Sequence, residues 1–292
     1  MKAVDYAAPR TISEAITLFS EKGDRARALA GGTDVLVQVR EGRREPDWLI
    51  DLKHIPELNE LAFDSKVGLR IGAAVPCSSI YESALSKPYA ALIDAASLIG
   101  GVQIQNRASL GGNLCNASPA ADTVPALIAH EAICIIAGPE GSRETPVEKF
   151  CVGPGRTVLG RGEILVSFQL PIPRKHTGTQ YVRFIPRNEM DIAVVGVGVS
   201  VTLDESRSRC IAARVALGAV APTPLLVTEA GAALVGGALT DDQINKAAKL
   251  AQAAAKPISD MRGDADYRQH LVGVLTKRAL SDAIARAKDK EN

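Results

Sequence analysis

A chain of 292 residues that is 46% apolar and 23% charged holds enough core-forming material for more than one domain. A formal net charge of +1 with only 4% aromatic residues argues against nucleic acid or an anionic membrane surface as the main partner. No apolar run is long enough to span a bilayer and the first six residues lack a signal region, so a cytoplasmic location is expected.

Thr11 and Glu14 have the spacing of a capping box, and Ile12, Ala15, Ile16 and Phe19 then recur on one helical face. Gly23 and Asp24 close that helix, and residues 26–30 read as a short strand. Gly31, Gly32, Thr33 and Asp34 follow and lead into a helical segment over 35–40. A strand, a Gly-Gly turn bearing a hydroxyl and a helix start together make a seat for an anion. Residues 47–52 and 67–73 read as strands, and 78–85 and 89–99 as helices.

The stretch from Gln103 to Asp122 is too long, and too rich in small and polar residues, for an ordinary turn. Ser109, Gly111, Gly112 and Asn113 bring small side chains and backbone N–H groups together, as close approach to a phosphate requires. Leu110 and Leu114 would tie the segment to a core, while Asn116, Ser118 and Asp122 add donors and acceptors. For a lone Gly-Gly pair the competing reading is a tight turn between buried elements. Pro125 and an apolar run over 126–132 come next.

Residues 132–137 read as a strand, 138–142 as a turn and 163–170 as a further strand, stopped by Pro171 and Pro173. The 171–178 segment is the expected domain boundary. Beyond it, 194–203 and 211–217 read as Val-rich strands joined by a polar turn at 204–208, followed by helices over 228–235, 241–255 and 267–287. Strands followed by helices suggest a separate α+β domain.

The five cysteines (Cys77, Cys115, Cys134, Cys151, Cys210) form no C-x-x-C, and neither a disulfide framework nor a metal site is expected of them. Cys115 is the one to watch, since it follows the glycine segment. His54, His130, His176 and His270 are far apart and read as structural or exposed. Gly196 and Gly198 alternate with valine and no helix follows them, so they read as strand glycines, not as a dinucleotide fingerprint. Asp241 and Asp242 look like helix caps. Two phosphate-cradling segments with almost no acid–base machinery suit a protein whose chemistry resides in a bound cofactor.

Five short motifs in order carry a family resemblance. They are Ala30 to Val35; Ile71-Gly-Ala73; Ala108 to Asn113 with Ala117 to Asp122; Gly162 to Leu165; and Arg187 with Asp191-Ile-Ala193. Together they resemble the FAD-binding subunit of the molybdenum hydroxylases, a family that includes the medium subunits of carbon monoxide dehydrogenase and 4-hydroxybenzoyl-CoA reductase and the flavin domain of xanthine dehydrogenase. The resemblance implies an α+β chain. A two-part FAD-binding domain of the vanillyl-alcohol-oxidase type would occupy residues 1–175, with subdomains over roughly 1–55 and 56–175. A C-terminal domain of antiparallel sheet plus helices would occupy 176–292.

By the same resemblance, Ala30, Gly31, Gly32, Thr33, Asp34 and Val35, with Ser109, Gly111, Gly112 and Asn113, would cradle the FAD pyrophosphate through backbone amides. Asp122 would make a polar contact with the flavin nucleotide, Leu165 would lie near the ring, and Ile192 against its isoalloxazine face. Arg183 falls where xanthine dehydrogenases have lysine, which keeps the charge but not the shape. The family's [2Fe–2S] clusters and molybdenum cofactor are expected on a small and a large partner subunit, in a dimer of heterotrimers. Electrons would pass from the clusters to the flavin and on to an external acceptor, with no catalytic residue or metal ligand on this chain. Two alternatives remain at this level: a free-standing FAD oxidoreductase with its own substrate pocket, and a non-catalytic assembly protein on the same fold.

Covalent flavin attachment in this fold superfamily usually requires His or Cys at the ring, where the resemblance offers Leu165, Arg183 and Ile192. The FAD is therefore expected to be non-covalent, and acid precipitation should leave the yellow colour in the supernatant. Colour retained in the pellet would implicate Cys115.

Overall fold

The first helix, Ile12–Lys22, begins where the spacing predicts: Thr11 Oγ1 accepts from the Glu14 N–H at 3.2 Å. The return bond goes one residue further back than a capping box requires, since Glu14 Oε2 accepts from the Arg10 N–H at 2.8 Å. This computed structural model describes residues 3–289. Met1 and Lys2, read above for a signal region, and residues 290–292 of the expected second domain lie outside the described residues.

The helix connects strand Asp5–Ala7 to Ala26–Leu29, and both pair in parallel with the central strand Trp48–Asp51. Ala15, Ala26 and Ile50 form the small core of this lobe, joined by Ile164 and Val166 from the next sheet. The second sheet is antiparallel, in the order Leu61–Asp64, Gly68–Gly72, Ile164–Leu170, Ile133–Gly138, Gly141–Pro146. Its other face is covered by short helices, among them Ala90–Ala96, Leu110–Cys115 and Thr123–Ala129. Every residue of Thr123–Ala129 is buried.

The third sheet is also antiparallel, in the order Thr177–Phe184, Val195–Leu203, Cys210–Gly218, Leu225–Leu226, and is backed by helix Ala265–Lys288, against which helix Asp241–Ala254 packs. Val195, Val197, Val199 and Val201 are fully buried, each stabilising the fold by on the order of 1.5–3 kcal/mol. Two expectations need correction here. The first strand of this sheet was missed in the sequence, because Gly178 was read as the end of a linker. Gly178 is required by contact instead: a Cβ there would overlap the Ala283 carbonyl oxygen of the last helix. Asp241 and Asp242 lie in the first turn of their helix, but its N-cap is Thr240, which forms a capping box with Gln243.

Thr123–Ala129 is held between the second and third sheets. A Cβ at Gly198 would overlap the Pro125 carbonyl oxygen, and one at Gly218 would lie 2.9 Å from Pro125 Cγ. The strand glycines thus let a helix of the second sheet's layer touch the backbone of the third. Three arginines cross the same seam. Arg286 donates from both terminal nitrogens to Asp94, at 2.7 and 3.1 Å. Arg214 donates to the Ile128 carbonyl at 2.9 Å and to Glu148 at 3.0 Å. Arg183 pairs with Asp122 at 2.7 Å. No helix among the described residues is long and apolar enough to cross a membrane.

His130, at the C-terminal end of the Thr123–Ala129 helix, is buried edge-on against the Tyr89 ring, and its Nε2 has no hydrogen-bond partner among the described residues. Burial pushes its imidazole down to about 3 from the ordinary 6.5. Above 6.5 the ring is neutral in both folded and unfolded chains. Below it only the unfolded chain takes up the proton, so stability falls as pH drops from 6.5 towards 3, by about 1.4 kcal/mol per pH unit at most. Urea melts of wild type and His130→Phe over that range should show a shallower acid slope for the variant. Parallel slopes would mean that other groups carry the acid sensitivity.

Candidate functional site

The first glycine segment links strand Ala26–Leu29 to helix Val35–Arg40. Gly32 adopts φ +80°, a left-handed conformation that only glycine takes without strain. Gly31 is pressed against the second glycine segment, where a Cβ would overlap the Arg107 carbonyl oxygen. Two stretches more than seventy residues apart are thereby brought backbone to backbone. Gln38 Nε2, donating to Asn116 Oδ1 at 3.0 Å, ties them again at the other side. The N–H groups of Gly32, Thr33, Asp34 and Val35 donate to no acceptor among the described residues. Asp34 is exposed and its side chain caps nothing.

The second segment folds into a short helix. Ser109 caps the short helix Leu110–Cys115, its Oγ accepting from the Gly112 N–H at 3.1 Å. The Gly111 N–H donates to the Ala73 carbonyl and the Asn113 N–H to that of Ser109. These three amides are therefore engaged within the chain. What the segment presents is the exposed Cα face of Gly112 and the Nδ2 group of Asn113, whose Oδ1 accepts from Thr123 Oγ1 at 2.7 Å. Ala30 and Val35 flank the first segment, half-buried.

Asn113 leads directly to a buried cluster. Asp122, next to Thr123, accepts from Tyr181 Oη on one carboxylate oxygen and from Arg183 on the other, both at 2.7 Å. Within the chain, the carboxylate of Asp122, for which a contact with the flavin nucleotide is expected, thus already holds two partners. Burial raises its carboxyl above the usual range, against the lowering influence of Arg183 and Tyr181. Tyr181, held beside this carboxylate and buried, is pushed well above 10. The sequence reading passed over Tyr181. Its signal was position, since residues two apart on a strand share a face with Arg183, and that strand had not been recognised.

Leu165 lies in the second sheet, 4% exposed, within the same core as Leu110 and Leu114. Ile192 is 52% exposed on the loop between Thr177–Phe184 and Val195–Leu203, beside Met190 at 59%. A Cβ on Gly101 would come 3.7 Å from Met190 Sδ, so this loop reaches back over the helical layer of the second sheet. Asp191 anchors it, paired with Arg187 and Arg262, each at 3.3 Å. The Ile192 N–H and these arginines hold the Asp191 carboxyl below the usual range. Free amides, a bare glycine face, an interdomain cation and exposed apolar side chains suit a ligand with a phosphate end and a flat apolar end.

Comparison with known proteins agrees with this geometry. Residues 2–173 match the family described as FAD binding domain in molybdopterin dehydrogenase, and 180–283 that described as CO dehydrogenase flavoprotein C-terminal domain. The chain is 32% identical to the xanthine dehydrogenase FAD-binding subunit of Escherichia coli O157:H7, over 98% of this chain and 97% of the relative. It is 33% identical to the carbon monoxide dehydrogenase medium chain of Hydrogenophaga pseudoflava, over 97% of both. A solved structure of carbon monoxide dehydrogenase from that organism superposes with a TM-score of 0.93 at 34% identity, covering 98% of each chain.

Gly112→Val adds its side chain at an exposed position, with Ser109 Oγ, 3.3 Å from the added Cβ, as its near neighbour. We expect an unchanged circular dichroism melt and loss of FAD from the purified chain. Gly31→Ala drives a Cβ into the Arg107 carbonyl and should lower stability by about 1–3 kcal/mol with or without FAD. Full flavin content in Gly112→Val would place the phosphates elsewhere.

Proposed function

The chain belongs to the family of FAD-binding subunits of the molybdenum hydroxylases, and from that membership we propose that its cleft holds FAD as the electron outlet of a multi-subunit oxidoreductase. The observation that carries the reading is the row of unengaged amides from Gly32 to Val35, on a segment held through Gly31 and Gln38 against the one that bears the exposed Gly112. Oriented N–H groups stabilise phosphate oxygens without a reorganisation cost, and glycine lets the ligand reach them. Asn113 Nδ2 and Thr33 would donate to the same group. Ile192 and Met190 would cover an apolar ring and exclude water from it. Arg183 supplies a fixed positive charge where the second and third sheets meet.

Bound FAD would supply the redox chemistry, taking electrons from [2Fe–2S] clusters of a small partner subunit and yielding them to an external acceptor. The molybdenum cofactor and the organic substrate would sit on a large partner subunit, in a dimer of heterotrimers. The Tyr181–Asp122–Arg183 cluster offers no acid–base pair, since its carboxylate is paired on both oxygens.

The chain, affinity-tagged and purified from its native cells, should bring down two further polypeptides together with molybdenum, iron and one FAD per tagged chain. Recovery of the chain with FAD but without metal or partner would replace this reading with a free-standing flavoprotein.

A further inference from the structure

The buried cluster between the domains has a member for which neither the family match nor the cradle geometry gives a role. Tyr181 is 2% exposed, and its hydroxyl donates to Asp122 Oδ1 at 2.7 Å. The room for that hydroxyl comes from Gly196 on the adjacent strand, whose added Cβ would lie 2.6 Å from Tyr181 Oη. Tyr181 is fixed from its main chain as well, its N–H donating to Asp94 Oδ2 at 3.1 Å. Asp94 is itself clamped by Arg286. A hydroxyl held from both sides, over a glycine, against one oxygen of a buried carboxylate is specific placement.

The consequence is electrostatic. A buried carboxylate remains ionised only if its oxygens are paired, because burial alone favours the protonated acid. Arg183 accounts for one oxygen of Asp122 and Tyr181 for the other. If the carboxylate were protonated, Arg183 would lose its anionic partner and with it the charge-assisted bond that fixes its direction. We propose that Tyr181 is a positioning residue of the flavin site: it keeps Asp122 ionised, and thereby holds Arg183 as a fixed cation at the cleft. The proposal rests on the flavin reading given above.

The groups facing Asp122 are few. Tyr181 and Arg183 come from strand Thr177–Phe184, and the valine-rich strand beside it faces the cluster through Gly196. Asp94, on helix Ala90–Ala96, is neutralised by Arg286. Arg214, on Cys210–Gly218, and His130 meet the far end of the Thr123–Ala129 helix, where Arg214 bonds Ile128.

The test uses the full FAD-loaded chain as wild type, Tyr181→Phe and Asp122→Asn, with the visible spectrum and thermal midpoint recorded against pH. Losing the Tyr181 hydroxyl should move the acid-side midpoint of the spectral profile upward by about one to two pH units. Asp122→Asn should have no step. Asp122 has a folded-state pKa raised above its unfolded value, so its burial costs stability at high pH and the cost is relieved as pH falls through that pKa. Tyr181→Phe should accordingly be most destabilised above its shifted midpoint and recover below it. Coincident spectral midpoints in wild type and Tyr181→Phe would overturn the proposal. A wild-type chain that takes up no FAD at any pH would instead overturn the flavin reading, and this proposal with it. If Tyr181→Phe does not fold, Gly196→Ala displaces the same hydroxyl and is judged by the same two outcomes.

Discussion

The contact on which the rest of the structure depends is the one between helix Thr123–Ala129 and the third sheet. It is a contact of backbones, permitted by the absence of a side chain at Gly198, where a single Cβ would strike the Pro125 carbonyl. Close backbone approach leaves no freedom for the helix to slide, because protein interiors tolerate neither overlap nor gap. Both ends of the helix are therefore fixed with respect to the second domain. At its start Asp122 meets Tyr181 and Arg183; at its end the Ile128 carbonyl meets Arg214. The ion pairs at the seam add direction more than strength. Buried pairs recover little net energy after desolvation, but breaking one strands a charge.

From this seam the cleft acquires two unlike ends. The first glycine segment has N–H groups to spare, in a turn whose left-handed residue is Gly32. The second segment spends its amides on Ala73 and Ser109 and serves instead as a smooth wall. The apparent symmetry of two Gly-Gly motifs conceals a donor and a spacer. Gly31 joins them: replacing its hydrogen with a methyl group would push the wall away from the donors.

How much of this was legible in the sequence varied with the kind of interaction involved. Local rules were readable: Thr11 caps its helix, Val35–Arg40 is helical, and the valine repeat over 195–201 is a buried strand. The glycine motifs were readable as positions demanding close approach, and their order along the chain pointed to the family. Which neighbour each glycine approached was not, since Gly178 and Gly198 answer to residues far off in sequence, Ala283 and Pro125. Strand Thr177–Phe184 was missed for that reason, and Tyr181 with it. Asp122 stands out in the sequence as a polar residue, but its partners lie 59 and 61 positions away, a distance over which periodicity says nothing. Ser109 was read as part of a loop, although a serine before two glycines also has the makings of a helix cap.

The order of strands in the second sheet has a consequence for how the chain reaches this state. Its middle strand, Ile164–Leu170, is the last of the five in sequence and pairs with Gly68–Gly72 on one side and Ile133–Gly138 on the other. Until it arrives, the two flanking hairpins share no neighbour, and each leaves a hydrogen-bonding edge open to solvent. The contacts that unite them close loops of many tens of residues, whose entropy is lost before any pairing energy returns. Folding of this layer is therefore a late, non-local event. Before that closure the two hairpins present exposed edges of the kind that recruit strands from other molecules. Productive folding of the chain is thus a race between one internal strand and its neighbours in solution, and protein concentration during refolding should govern the yield more strongly than the final stability does.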